Sequence, residues 1–110
     1  MKLPNREKAF IQAAKLNDYL LSETHVVGRA KAKFFRLFGF DETNIDLLER
    51  GLLAIAKTQE VASVTSSPHG TKYVVDGSLQ TPTGGLINLR TVWIIDQDQD
   101  RPRFVTAIPN

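Results

Sequence analysis

The chain contains no cysteine. That absence removes disulfides, thiolate metal sites and thiol nucleophiles together, and it suits a reducing cytoplasm. Histidine is nearly as scarce. His25 and His69 are the only two, too few for a multi-histidine metal site. No apolar run approaches the length of a membrane helix. The start, Met-Lys-Leu-Pro-Asn-Arg-Glu-Lys, is not followed by the apolar segment of a secretory signal. Net charge is only +2, so a general nucleic-acid coat is excluded and any such role needs a local basic patch. Glycine-rich nucleotide loops, H-E-x-x-H and a serine elbow are all missing. Asp96, Asp98 and Asp100 alternate as in a calcium loop, but the glycine and distal glutamate of that loop are absent. Metal and nucleotide-cofactor enzymes therefore fall away, and no cofactor is expected.

What is present suffices for a core. Apolar residues make up 42% of 110 residues, which fits one domain over residues 1–110. The first half reads as helical. Leu3-Pro4-Asn5 is an extended lead-in, and Ala9–Ile11 reads as either a brief strand or a helix start. Residues 15–21 place Leu16, Tyr19 and Leu20 on one helical face. After a linker over residues 22–28, a second helix runs from Gly28 or Arg29 to Phe38. Val27, Ala30, Phe34 and Leu37 form its expected core face, and Gly39 stops it. A third helix is expected over residues 44–57, capped by Thr43 or Asp41, with Ile45, Leu48, Leu52 and Ile55 inward. Gly51 inside it points to close packing, since glycine there costs roughly 1 kcal/mol against alanine.

The second half reads as strands: residues 60–65, 71–79, 86–96 and 103–108. The second of these either runs through to Leu79 or is ended at Asp76-Gly77. Turns fall at 66–70, 81–85 and 97–101. Links this short favour an antiparallel meander. The expected fold is α+β, with N-terminal helices packed against a C-terminal three- to four-stranded antiparallel sheet. Period-two reading of residues 86–96 turns Ile87, Leu89, Thr91, Trp93 and Ile95 to the helices. Asn88 and Arg90 go to the other face, where Arg90 either pairs with Asp76 or meets an anion. Arg103 and Thr106 would point to opposite faces of a regular strand, so both join Arg90 only if that strand bulges.

The strongest charge anomaly is residues 25–36. Arg29, Lys31, Lys33 and Arg36 follow one histidine with no anion among them. A helix start favours a bound anion, and these four cations are the candidate anion-binding set. A neutral His25 beside them would be suited to general-base work. The same residues also suit a solvated helix face.

Three stretches together resemble one known family. They are residues 15–21 with His25 and Gly28; Lys31-Ala32-Lys33-Phe34-Phe35 with Gly39-Phe40; and Gly70-Thr71-Lys72-Tyr73-Val74-Val75-Asp76-Gly77 with residues 90–95 and 102–106. The chain is similar to a small bacterial family of domains of unknown function, number 6883, which occurs alone and in polymorphic-toxin and phage-associated proteins. The resemblance implies helices followed by a compact antiparallel sheet, as in small metal-independent ribonucleases and interbacterial toxins. The polar residues matching its motifs are His25, Lys31, Lys72, Arg90, Thr91 and Thr106. With no delivery region in the sequence, the chain reads as a lone domain rather than a secreted toxin. The functional expectation is an RNA-cleaving or RNA-binding domain. In it His25 is the general base, Lys72 or Arg90 stabilises the phosphate, and Thr91 or Thr106 positions substrate. The alternative is a non-catalytic protein-binding or structural domain with a small partner protein. Neither reading involves a membrane.

Overall fold

The computed structural model describes residues 1–20 and 29–110, and for residues 18–20 and 29 only the backbone is described. The expected linker over 22–28, with His25 and Val27, lies outside the described residues, as do the side chains of Tyr19 and Leu20. A 3₁₀ turn, Arg6–Lys8, and a π-wound helix, Lys15–Leu20, precede two α-helices, α1 (Arg29–Leu37) and α2 (Ile45–Thr58). Four strands follow: β1 (Val61–Ser67), β2 (Gly70–Gln80), β3 (Leu86–Asp96) and β4 (Arg103–Pro109). They form one antiparallel sheet in sequence order, the expected α+β architecture.

The core lies between the helices and one sheet face. Leu48, Leu52, Ile55 and Ala56 of α2 pack with Tyr73, Val75, Leu79, Leu89, Trp93 and Phe104. Burying large side chains of this kind is worth roughly 1.5–3 kcal/mol each. Gly51 is where the sequence needs it: a Cβ there would stand 2.0 Å from Leu79 Cδ1.

Three expectations are corrected. First, of the two ends open to β2 in the sequence, Asp76-Gly77 is the wrong one: the strand runs through Leu79 to Gln80. Gly77 is a close-approach glycine, since a Cβ there would lie 2.9 Å from Ile55 Cγ2. Second, α2 has Asn44 at its cap position rather than Thr43 or Asp41. The Asp41 carboxylate instead accepts hydrogen bonds from the Thr43 amide and hydroxyl. Third, α1 is rotated relative to its expected face. Ala30 is exposed and Leu37 is 77% exposed, whereas Ala32 and Phe35 are buried. The reason is aromatic. Phe35 meets Phe40 edge to face at 6.2 Å, and Phe34 meets Phe38 at 5.2 Å. Phe40 reaches back to Phe35 because Gly39 turns the chain at φ 97°.

Candidate functional site

The sheet has a second face, and it is built by register. β2 and β3 pair Lys72 with Ile94, Val74 with Val92, Asp76 with Arg90 and Ser78 with Asn88. These residues point away from the core, because Tyr73, Val75, Leu89, Thr91 and Trp93 between them point into it. On β4 the register shifts after Val92. Phe104 pairs with Trp93 and Thr106 with Val92, so Val105 is the extra residue of a bulge. The consequence is that Arg103, opposite Ile94, and Thr106, opposite Val92, both emerge on the outer face.

That face therefore carries three rows. Lys72, Ile94 and Arg103 form the first, Val74, Val92 and Thr106 the second, and Asp76, Arg90 and Ile108 the third. Successive rows are roughly 7 Å apart along the strands. Lys72, Arg90 and Thr106 thus share one surface, with Arg103 as a fourth polar member. Val74, Val92 and Ile94 between them are half-buried, and Ile108 is exposed.

Two guanidinium groups on this face hold carboxylates. Arg90 donates from Nε and Nη2 to Asp76 at 2.9 and 3.0 Å. Arg103 does the same to Asp96, at 3.0 Å for both bonds. The hydrogen bonds from Arg90 hold the Asp76 carboxyl below the usual carboxylate range, and those from Arg103 do so for Asp96. Arg90 is 46% exposed and Asp76 31%. Pairs this open are screened and contribute little to stability.

Thr91 is placed apart from the others. It faces the core fully buried, donates to the Val75 carbonyl at 2.6 Å and accepts from Trp93 Nε1 at 2.8 Å. Trp93 is likewise buried, edge to face on Phe104 at 5.3 Å. The five sequence candidates therefore do not converge: Lys72, Arg90 and Thr106 gather, Thr91 stands behind the sheet, and His25 lies outside the described residues.

The candidate anion set on α1 is similarly divided. Lys33 is exposed, and Arg36 is half-buried and bound by both carboxylate oxygens of Glu42. Its guanidinium draws the Glu42 carboxyl down to about 2. Lys31 lines a groove of about 360 Å³ with Ala30, Phe34, Phe35, Ala107, Ile108 and Pro109. Since Ile108 pairs across from Arg90, the groove joins α1 to the third row of the outer face. No cluster of three histidine, aspartate or glutamate side chains able to hold a metal occurs among the described residues. No helix among them is long and apolar enough to cross a membrane.

Arg103 is the member that sequence reasoning left unassigned. Its signal was present: Phe104 and Ala107 both belong to the core face yet are three residues apart, an odd spacing that a strand meets only by bulging.

A model described as Domain of unknown function (DUF6883) matches residues 2–110. The chain belongs to that family. No curated protein matches this DUF6883 domain. Among solved structures it is similar to a chain of a contact-dependent growth inhibition toxin–immunity protein complex from Klebsiella pneumoniae 342. The TM-score is 0.73 at 18% identity, over 93% of this chain and 100% of that one. At that identity the likeness is one of fold.

Proposed function

We propose that this DUF6883 domain is a toxin-like, metal-independent RNA-cleaving or RNA-binding domain that works in the cytoplasm. One observation carries the reading: the β4 bulge gathers Lys72, Arg90, Arg103 and Thr106 on a sheet face left open by the helices. Arginine forks match phosphate geometry as well as they match carboxylate. A phosphodiester laid across the second row is within reach of cations from the first and third. In the catalytic form, His25 takes the proton of a ribose 2′-hydroxyl as its oxygen attacks the neighbouring phosphorus and the 5′-oxygen departs. Lys72 and Arg90 stabilise the charge that gathers on the phosphoryl oxygens. The fold shared with a chain of a toxin–immunity complex supports the toxin-like character.

A second reading has its own support. Both outer arginines already hold carboxylates, which gives this face the mixed charge of a protein-binding surface. The partner would be a small protein, as in the complex that contains the similar chain.

The test incubates purified protein with total RNA in the presence of EDTA, beside His25→Ala and Lys72→Ala variants. Cleavage by the wild type that both variants lose supports the catalytic form. Binding without cleavage that weakens steeply with salt supports the RNA-binding form. Neither cleavage nor binding, at any salt concentration, hands the face to a protein partner.

A further inference from the structure

Every aromatic ring of the sheet points inward. Tyr73, Trp93 and Phe104 belong to the core. The outer rows hold only charged, hydroxyl-bearing and aliphatic side chains. An RNA strand whose phosphates lie on these rows therefore finds no stacking platform for its bases on the face itself. Two rings flank β4. At its start Phe10 bridges to Arg103, and Arg101 already lies 4.2 Å over that ring. At its end Phe34 lines the groove of about 360 Å³ between α1 and β4.

Phe34 is half-buried, and Phe35 and Phe38 hold it edge to face at 5.4 and 5.2 Å. A ring fixed in this way loses little freedom when a flat ligand stacks on it. Ala30, Ile108 and Pro109 add apolar walls, and Lys31 is the charged residue among them. The groove begins where the third outer row ends, because Ile108 lies opposite Arg90 and also lines the groove. Side chains paired directly across strands stand roughly 5 Å apart, so a guanidinium and an apolar slot adjoin. Arg90 uses Nε and Nη2 on Asp76, which leaves its Nη1 donors for a phosphate.

We propose that the α1–β4 groove is a nucleobase subsite, which takes one unstacked base of an RNA strand whose adjoining phosphate lies at Arg90. The inference rests on the RNA reading of the outer face and adds to it that the bound segment is single-stranded. Three features select this occupant over a segment of a partner protein. The volume is near the lower end of small-molecule sites, roughly 300–1,000 Å³, and is short for a docked helix or strand. The order of cation, then apolar slot, repeats the order of phosphate, then base, along a nucleotide. Lys31 puts donors beside the slot, which suit the carbonyl oxygens of a base edge and not an apolar side chain. A base splayed out in this way comes from a loop or an end, because a duplex keeps its bases stacked.

Backbone amide shifts test this with two probes of matched charge. One is a short single-stranded RNA blocked with 2′-O-methyl groups, so that it stays intact. The other is inorganic polyphosphate, which has no bases. Both are expected to shift Arg90 and Arg103, and only the RNA is expected to shift Lys31, Phe34 and Ile108. Ala30→Leu fills the groove from an exposed helical position that leucine suits. It should weaken RNA binding about tenfold and leave polyphosphate binding unchanged. Phe34→Leu, which keeps apolar bulk but removes the ring, should do the same. RNA that shifts Arg90 and Arg103 but not the groove overturns the subsite and leaves the outer-face reading standing. So does polyphosphate that shifts the groove as strongly as RNA, or a folded Ala30→Leu variant that binds RNA as tightly as the wild type. If both probes leave Arg90 and Arg103 unmoved, the outer-face reading falls and the subsite falls with it.

Discussion

Arg90 and Thr91 are neighbours on β3, and each is hydrogen-bonded to β2, yet they belong to different worlds. Thr91 sits in the core with its hydroxyl consumed twice, once by the Val75 carbonyl and once by the Trp93 indole. Arg90 lies on the open face with its fork on Asp76, half in water. A buried polar group gives up its chemistry to folding, because leaving any partner unpaired there costs about 1–3 kcal/mol. An exposed ion pair commits little and can be exchanged for a ligand. One step along a strand thus separates a structural residue from an available one.

The largest expected effect lies on the inner face. Trp93→Ala should cost about 3–5 kcal/mol, read from urea denaturation, since it empties the centre of the core and takes away the donor that the Thr91 hydroxyl accepts from. A loss no greater than that of a surface substitution would erase the contrast between the faces. Thr91→Val comes next, at about 1–3 kcal/mol, because it leaves the Trp93 N–H with no acceptor. The same variant should leave RNA binding untouched.

Arg90→Ala inverts that pattern. Its melting temperature should barely move, while the dependence of log affinity for RNA on log salt should flatten by about one. A variant that melts far earlier but binds RNA normally would make Arg90 structural after all.

The smallest effect is on pH. Asp76 and Asp96 are held below the ordinary carboxylate value of 3.8 by Arg90 and Arg103. Their folded-state values are depressed, so the stability they contribute is fully present above that value and is lost as pH falls through the depressed ones. Thermal melts should therefore hold steady down to the ordinary carboxylate range and decline below it. Raising salt to roughly 0.5 M should soften the decline, since both pairs are solvent-screened.

Much of this contrast was legible in period two alone. Residues 86–96 divide cleanly into inward and outward sets, and the Arg90–Asp76 pairing follows from short turns and antiparallel register. The face of α1 was not legible. Its apolar residues admit two stripes, and the choice between them is made by Phe40, which belongs to the loop beyond Gly39. The run of β2 through Gly77 was hidden for a related reason: the glycine answers Ile55 on α2, not the local chain. The bulge on β4 was encoded only in the odd spacing of Phe104 and Ala107, which has meaning once both are known to face the core. Local periodicity decides which face a residue takes; contacts distant in sequence decide where the period breaks.

The proposed RNA-binding role of the outer face is tested most sharply by titrating folded RNA into isotopically labelled protein and following backbone amide shifts. Perturbations are expected to concentrate on the outer face, at Lys72, Arg90, Arg103 and Thr106, with Thr91 and Trp93 changing little. Saturating RNA that leaves those four amides in place, or that perturbs only residues remote from them, would contradict it.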